Sequence, residues 1–309
     1  MSDHRFDVSD YRVKAGKDPD LGSRLTRADV EGFEKADAIE ALAADREHLA
    51  DAQRVLYADG RRAVLIVLQA LDAAGKDGTI RHVMSGVNPQ GCSVTSFKAP
   101  TPEEAAHHFL WRPTPHLPRK GHIAIFNRSY YEETLVVRVH PEWLAGQSLP
   151  SDVLKPKWMT PQALAEGGPP ESFWQDRFDA INGFERMLVE SGTTILKFYL
   201  HLSRGEQKER FLERIRRPEK NWKFSSADIR ERGHWDDYQR VYSETIRHTS
   251  TSHAPWYVIP ADQKWFSRSL IGDIISRTIM DLDVSYPTLP ADEKERLAEA
   301  ERELLSEDA

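Results

Sequence analysis

The chain has 309 residues, a formal net charge of −7, 39% hydrophobic residues and one cysteine, Cys92. This length accommodates one large α/β domain with insertions or two modest domains, and a single cysteine excludes an intramolecular disulfide. The longest strongly apolar stretch, residues 63–71, is less than half as long as a membrane span, and residues 1–10 are polar. We therefore expect a cytoplasmic protein with no membrane partner.

Residues 1–24 are polar and mixed, and we expect them to extend over the surface. A long helix is predicted over 25–58, with Thr26 as a candidate cap and Gly60 as its stop. Its apolar stripe consists of Phe33, Ala36, Ile39, Leu42 and Leu49. The N-terminal extension and this helix form a first predicted unit, residues 1–60.

Residues 61–72 are nearly continuously apolar and rich in β-branched side chains, which is typical of a central parallel strand buried on both faces. Strand and helix patterns alternate from there onward. Further strands are predicted at 93–97, 122–126, 194–202 and 256–260, and helices at 75–85, 102–111, 173–189, 205–217, 225–248 and 265–283. This alternation indicates a parallel sheet with helices on both faces, and the Pro- and Gly-rich residues 142–170 are predicted to form a surface connection.

The first strand leads directly into the segment LDAAGKDGT, residues 71–79. A strand, a tight glycine turn, a lysine and a helix start form the context of a phosphate-binding loop, in which amide groups, a helix N-terminus and an ammonium group attract an anion. Ala70 replaces the usual first glycine and Asp77 replaces the usual Ser or Thr, so an ordinary glycine-rich turn is the alternative. The candidate phosphate-binding residues are Ala73, Ala74, Gly75, Lys76, Asp77, Gly78 and Thr79.

Asp72 lies inside this loop, where a carboxylate repels phosphate unless a divalent cation lies between them. The residue therefore predicts a magnesium ion, which Asp72 either binds or helps to orient against an acceptor phosphate. The twelve histidines show no ligand spacing supported by a second cluster, so we do not expect them to bind a metal.

A second motif, IAIFNRSYYEE, follows the strand predicted at 122–126. Polar residues at the carboxyl end of a buried strand lie where α/β sheets bind ligands, so Asn127 and Arg128 are expected to face the phosphates. A helix cap beside an exposed arginine is the alternative. Lys98 and Arg138 are candidates for a polyphosphate path or, alternatively, surface charges.

Basic residues crowd 204–223, whereas acidic residues crowd the C-terminal segment 286–309, which is predicted as a separate helix or tail. Ion pairs on a solvated helix explain part of the strip, but Pro218 ends the helix and leaves Arg217 at a break where a lid can begin. We place a lid at about 204–235, with Arg217 as its closing arginine. The other candidate lid residues are Arg204, Lys208, Arg216, Lys220, Trp222 and Lys223.

Three segments in order, 71–78, 127–132 and 216–224, resemble the type-2 polyphosphate kinases over residues 61–283. This resemblance implies a three-layer αβα sandwich, a P-loop kinase-like parallel sheet with a helical lid, within a kinase domain at 61–285. It also implies dependence on Mg²⁺, with Mn²⁺ as a substitute, and reversible phosphoryl transfer between inorganic polyphosphate and adenine or guanine nucleotides. Self-association as a dimer or tetramer follows from the same resemblance.

Asn127 together with Glu132 resembles the third subgroup of that family, which acts on AMP and ADP. In this reading Lys76 and Arg128 hold the transferred group, and Asp72 organises metal and acceptor. Two alternatives stay open: an ATP-dependent nucleoside-monophosphate kinase, and a non-catalytic module that binds phosphate or nucleic acid. A globally acidic chain favours a small polyanion over nucleic acid as its partner.

Overall fold

The structure is a computed structural model that describes residues 6–28, 30, 32–147, 149 and 168–307. Within these residues five strands form one parallel sheet in the order β2-β3-β1-β4-β5. The strands are β1 (Ala63–Ala70), β2 (Cys92–Ser96), β3 (Ile123–Asn127), β4 (Thr193–His201) and β5 (Trp256–Pro260). The predicted parallel sheet is confirmed, and each predicted strand lies within two residues of an observed one.

Ten α-helices connect and flank these strands in the described part of the chain. They are α1 (Lys35–Asp59), α2 (Lys76–Val83), α3 (Pro102–Ala106), α4 (Val136–Val139), α5 (Glu171–Glu190), α6 (Arg204–Arg216), α7 (Ser226–Glu231), α8 (Trp235–Thr249), α9 (Lys264–Met280) and α10 (Ala291–Glu307). None of them combines the length and apolar character that crossing a membrane requires.

All eight residues of β1 are buried because its side chains alternate between two separate cores. Val64, Ile66 and Leu68 pack with α1, α2 and α9 on one face. Leu65 and Val67 pack with α5 and α8 on the other face. A strand that is apolar at nearly every position, with Gln69 as its one polar residue, is therefore suited to the centre of the sheet, and the predicted αβα sandwich is confirmed.

Helix α1 begins at Lys35, so the predicted start at residue 25 is wrong. Glu34 and Asp37 form a reciprocal capping box at its N-terminus, whereas Thr26 bonds through its side chain to Asp262. Gly60 ends the helix in the left-handed conformation, as predicted (φ 67°).

The predicted apolar stripe of α1 is also partly wrong. Ile39 is 60% exposed, and Phe33 lies before the helix, where it packs against Phe6. The buried face consists of Ala38, Ala41, Leu42, Asp45, Leu49, Gln53 and Leu56. This face packs against the core that contains α9, so α1 belongs to the same core as one face of the sheet.

The N-terminal residues do extend along the protein, but they are not only a polar surface layer. Phe6, Val13 and Leu21 are buried. The amide of Val13 donates to the carbonyl of Trp256 (2.8 Å), and the amide of Val258 donates to the carbonyl of Tyr11 (2.8 Å). The segment therefore covers the open edge of β5, which would otherwise expose unpaired backbone groups.

The helix predicted at 225–248 is interrupted. Helix α7 ends at Glu231, a 3₁₀ turn follows at Arg232–His234, and α8 begins at Trp235. Gly233, a poor helix former, lies at the centre of the turn. Most of the connection predicted at 142–170 lies outside the described residues, while the acidic C-terminal segment forms α10, in which every residue is exposed.

The burial of α1 yields a test of its corrected face. Leu49 is 1% exposed, so Leu49→Ala is expected to lower the free energy of unfolding by about 2–5 kcal/mol through lost burial and a cavity. Ile39→Ala, on the exposed face of the same helix, should change it by no more than about 0.5 kcal/mol. Equilibrium unfolding in urea measures both. Equal effects of the two substitutions would contradict the packing described for α1.

Candidate active site

The phosphate loop lies between β1 and α2 at the carboxyl edge of the sheet. Ala73 (φ 63°) and Gly75 (φ 104°) both adopt the left-handed conformation, which turns the chain sharply before α2 begins at Lys76. Such alternation of backbone handedness creates a concave arrangement of amide groups that can bind an anion. The start of α2 adds the partial positive charge of a helix N-terminus.

Lys76 is buried beneath this loop, and its Nζ donates to the carbonyl of Ala70 (2.8 Å). Burial, reinforced by the positive charge of Arg128, lowers the pKa of Lys76 to about 8. In the absence of an anion, Lys76 is therefore expected to begin losing its proton only slightly above neutral pH. A bound phosphate is expected to favour the charged form of Lys76.

Strand β3 brings the second motif to the loop, because Asn127 is paired with Leu68 of β1 in the sheet register. Arg128 follows in the left-handed conformation (φ 63°), with its amide bonded to the carbonyl of Leu68 (3.0 Å). Its guanidinium then contacts Asp72 of the loop (2.7 Å) and Glu132 (3.5 Å). Asp72 and Arg128, 56 residues apart in sequence, thus join the two motifs by an ion pair.

Arg128 and Glu132 influence each other through their charges. Although Asp72 lies closer, the less exposed Glu132 contributes most to raising the pKa of Arg128. Burial raises the pKa of Glu132, and the charge of Arg128 opposes this change. Arg128 consequently keeps its charge throughout the physiological range.

The basic segment of the predicted lid also reaches the loop. A 3₁₀ segment, Pro218–Lys223, follows α6, and Nζ of Lys223 contacts Asp77 Oδ2 (3.2 Å). Asn127 donates to the other oxygen of the same carboxylate (2.8 Å). Asp77 therefore connects α2, the end of β3 and the lid segment.

A cavity of about 900 Å³ opens above the phosphate loop. Its lining contains ten cationic side chains and three carboxylates, so its field favours an extended anion. The cations are Lys76, Arg81, Lys98, Arg128, Arg210, Arg214, Lys220, Lys223, Lys264 and Arg268, and the carboxylates are Asp72, Asp77 and Glu213.

A second cavity, of about 570 Å³, adjoins the first and shares five lining residues with it: Asp72, Phe97, Lys98, Ala99 and Arg128. Its wall is more apolar and aromatic, and it includes Trp143, Tyr238 and Tyr242. An anion-attracting cavity thus meets an aromatic cavity at a shared wall that contains Lys98 and the Asp72–Arg128 ion pair. This is the arrangement that a phosphoryl donor and an organic acceptor require.

The structure brings many of the predicted site residues together. Residues 72–78, Asn127 and Arg128 line the cation-rich cavity with Lys98, Lys220 and Lys223, whereas Glu132 lines the aromatic cavity. Thr79 is buried behind the loop, and its amide bonds to the carbonyl of Gly75 (2.9 Å).

Other predicted residues lie elsewhere. Arg138 is buried against Trp174 and pairs with Glu171 and Glu244, so it lines neither cavity. Arg217 pairs with Glu213 and Glu219 at the surface. The remaining lid candidates Arg204, Lys208, Arg216 and Trp222 are exposed and also lie outside the cavity linings.

Several cations of the cavity were not among the sequence candidates. Lys264 and Arg268 come from α9, the helix after β5, and Arg81 comes from the last turn of α2. Arg210 and Arg214 lie in the basic strip, but their pattern there also fits a solvated ion-paired helix. Only the order of the strands, which brings the start of α9 close to the loop, identifies Lys264 and Arg268.

Among the described residues, no group of three or more His, Cys, Asp or Glu side chains is arranged to hold a metal ion. Asp72 is nevertheless a carboxylate at the junction of the two cavities. A magnesium ion commonly binds one or two protein carboxylates and completes its shell with substrate phosphates and water. The donors present fit that mode of binding and not a cage formed by protein alone.

A parallel αβα sheet with a lysine-containing phosphate loop, a facing arginine and a cation-lined cavity defines a P-loop phosphotransferase. Comparison with known proteins identifies the family. The family model described as Polyphosphate kinase 2 matches residues 32–145 and 168–286. The chain belongs to the polyphosphate kinase 2 family, which confirms the resemblance seen in its three motifs.

Individual relatives match over nearly the whole chain. An ADP-polyphosphate phosphotransferase of Rhodopseudomonas palustris is 47% identical, over 95% of this chain and 97% of that protein. An AMP/ADP-polyphosphate phosphotransferase of Meiothermus ruber is 46% identical, over 90% of this chain and 94% of that protein. The crystal structure of Polyphosphate Kinase 2 from Arthrobacter aurescens superimposes with a TM-score of 0.80 at 36% identity, covering 94% and 96% of the two chains.

The pKa of Lys76 predicts how anion binding depends on pH. Since this pKa is lowered to about 8, the ammonium form is complete below it and is lost as the pH rises through it. We expect the affinity for tripolyphosphate to fall by up to about tenfold per pH unit above pH 8. Isothermal titration calorimetry between pH 7 and 9 measures this change.

Lys76→Arg is the matched control, because a guanidinium stays charged across this range. The absolute affinity of Lys76→Arg for tripolyphosphate can differ from that of the wild type. Its change with pH should reflect only the titration of tripolyphosphate itself. An identical pH profile in the wild type and in Lys76→Arg would contradict the assignment of the titration to Lys76.

Proposed function

We propose that this chain transfers phosphoryl groups, reversibly, from inorganic polyphosphate to AMP and ADP. The observation that carries the proposal is the meeting of a cation-lined cavity and an aromatic cavity at Asp72 and Arg128. The names of the relatives agree with it, since they act on ADP or on AMP and ADP with polyphosphate.

The cation-rich cavity suits polyphosphate as the donor. Each internal phosphate of this polymer carries one negative charge, so an extended segment requires cations distributed along a path. The lining supplies them from α2, α6, the 218–223 segment and α9, whose side chains surround the loop. Lys76 begins α2 directly after the loop and Arg128 pairs with Asp72 of the loop, and these two residues are proposed to hold the transferred group.

The aromatic cavity suits the nucleoside of the acceptor. Tyr238, Tyr242 and Trp143 offer ring surfaces for a purine and its ribose, while the shared wall with Asp72 directs the nucleotide phosphate toward the donor. Adenine nucleotides are the proposed acceptors, and guanine nucleotides present the same flat ring system. Asn127 and Glu132 are the residues proposed to set the choice between AMP and ADP.

The reaction needs no protein nucleophile. A terminal phosphate oxygen of the nucleotide attacks the end phosphorus of polyphosphate, a new P–O bond forms, and the bridging bond to the shortened polyphosphate breaks. Lys76, Arg128 and the loop amides stabilise the charge on the transferring oxygens. A bound Mg²⁺, with Mn²⁺ as a substitute, supplies further charge neutralisation, and Asp72 is the residue proposed to hold it together with phosphate oxygens.

The lid proposal concerns residues 204–235 within a kinase domain at 61–285. The contact of Lys223 with Asp77 supports it, because it joins the basic segment to the phosphate loop at an exposed position. Closure over the substrates would exclude water and limit hydrolysis of polyphosphate.

Self-association as a dimer or tetramer and a cytoplasmic location stay predictions. Light scattering after size-exclusion chromatography measures the oligomeric state.

Donor choice tests the proposal directly. With Mg²⁺, polyphosphate and AMP, the protein is expected to form ADP and then ATP, and Lys76→Ala should lower the rate by at least about 10²-fold. Chromatographic separation of AMP, ADP and ATP over time gives the result. Turnover of AMP with ATP alone would favour a nucleoside-monophosphate kinase, and salt-sensitive binding of nucleic acid that Lys76→Ala leaves unchanged would favour a binding module.

A second experiment tests the role of Asp72. Asp72→Asn removes the charge that would attract the metal, so we expect a rate at least about 10²-fold lower and a higher Mg²⁺ concentration for half-maximal activity. Initial rates across a Mg²⁺ series measure both quantities. Asp228→Asn removes another carboxylate of the aromatic cavity and should leave the Mg²⁺ midpoint in place. If only Asp228→Asn moved that midpoint, Asp228 and not Asp72 would hold the metal.

A further inference from the structure

An anion-binding loop must direct its amides toward the ligand and its carbonyl oxygens away from it. In this chain every carbonyl from residue 70 to residue 75 accepts a hydrogen bond from the protein. The donors are Nζ of Lys76 to Ala70, the amide of Ala74 to Leu71, Gln207 to Asp72, Arg210 to both Ala73 and Ala74, and the amide of Thr79 to Gly75.

Three of these six carbonyls are held by one helix outside the loop. Gln207 and Arg210 are three residues apart on α6, so their side chains lie on the same face. Nε2 of Gln207 donates to the carbonyl of Asp72 (3.0 Å). One terminal nitrogen of Arg210 donates to the carbonyls of Ala73 (3.2 Å) and Ala74 (2.8 Å).

Arg210 borders the cation-rich cavity, but its hydrogen-bonding capacity is already used. A guanidinium has five N–H donors. The second terminal nitrogen donates to the carbonyls of Ala261 (2.6 Å) and Asp262 (3.1 Å), and Nε donates to Glu206 (2.8 Å). All five donors therefore have an acceptor, and four of these acceptors are backbone carbonyls. Arg210 is only 4% exposed and has no N–H group left to bind phosphate.

The sheet order explains why this position can reach both loops. Helix α6 follows β4, which lies between β1 and β5, so its inner face is directed at the loops that follow both neighbouring strands. The amide of Ser203 before α6 also donates to Asp262 (2.8 Å), which fixes the start of the helix on the β5 side. Arg210 thus joins the phosphate loop to the β5–α9 connection.

We propose that Gln207 and Arg210 are positioning residues that hold the carbonyls of residues 72–74 outward and so keep the loop amides ready for polyphosphate. Helix α6 is the first element of the proposed lid segment. The conformation of the phosphate loop therefore depends on the position of α6. The kinetic test of this inference rests on the proposed function, whereas the exchange test below does not.

The kinetic test separates geometry from charge. Arg210→Lys keeps the positive charge but cannot bond four carbonyls in a fixed plane, so we expect both Arg210→Lys and Arg210→Ala to raise KM for polyphosphate at least about tenfold. KM for AMP should change by less than about threefold, since Arg210 does not line the aromatic cavity. Arg186→Ala, which removes an exposed arginine from α5, is the matched control and should behave as the wild type.

Salt dependence distinguishes positioning from direct contact. If Arg210 bonded phosphate itself, Arg210→Ala would lower the slope of log KM against log salt concentration by about one unit. If Arg210 only positions the loop, Arg210→Ala should keep the wild-type slope and raise KM by the same factor at every salt concentration. A lowered slope, or a wild-type KM in Arg210→Lys, would overturn the proposal.

Hydrogen exchange of the substrate-free protein tests the loop itself. Peptides covering residues 72–78 should exchange at least about tenfold faster in Arg210→Lys than in Arg186→Ala, because the carbonyl anchors are lost. Gln207→Ala, which removes only the donor to Asp72, should give a smaller increase and serves if Arg210→Lys is too unstable to purify. Unchanged exchange in these variants refutes the positioning role, whereas a wild type inactive with polyphosphate refutes only the proposed function.

Discussion

The ion pair between Arg128 and Asp72 is the contact on which the site depends. It forms because the register of β1 and β3 places Leu68 beside Asn127, so that the residues after both strands emerge together. Without Arg128, the carboxylate of Asp72 would repel phosphate from the loop. With it, Asp72 can lie at the boundary of the two cavities and still permit an anion to approach.

Burying cations near a phosphate site is unfavourable unless each has acceptors, and the chain provides them mostly from its backbone. Lys76 bonds the carbonyl of Ala70, and Arg210 bonds four carbonyls. The exposed cations of the cavity, such as Lys223, instead keep donors for a substrate at the rim. Arg210 therefore has no donor left for a substrate, whereas Lys223 at the rim can meet the polyanion.

The second motif is anchored from below by a buried network. Nζ of Lys197 on β4 contacts Glu185 of α5 (2.6 Å) and the hydroxyl of Tyr131 (2.9 Å), and Tyr130 and Tyr131 both donate to the same carboxylate (2.8 and 2.7 Å). The tyrosines follow Arg128 almost directly in sequence. Their fixed hydroxyl groups therefore hold the backbone that presents Arg128 and Glu132 to the phosphate loop.

Periodicity and composition predicted the sheet and the local motifs. A strand in which seven of eight residues are apolar is typical of the centre of a parallel sheet, and a strand followed by a glycine turn, a lysine and a helix predicts a phosphate loop, so both predictions followed from local patterns. They did not determine where α1 begins. The residues from Leu25 onward fit a helical pattern, but in the structure the side chain of Thr26 bonds to Asp262 and the helix begins at Lys35. Three features were visible in the folded chain and not in local patterns. Arg210 bonds the carbonyls of the loop, Lys264 and Arg268 line the cavity, and Arg138 is buried in an ion pair with Glu244. The physical reason is that local patterns report which face of an element is buried, whereas the neighbours of a charged side chain follow from the order in which distant strands pair.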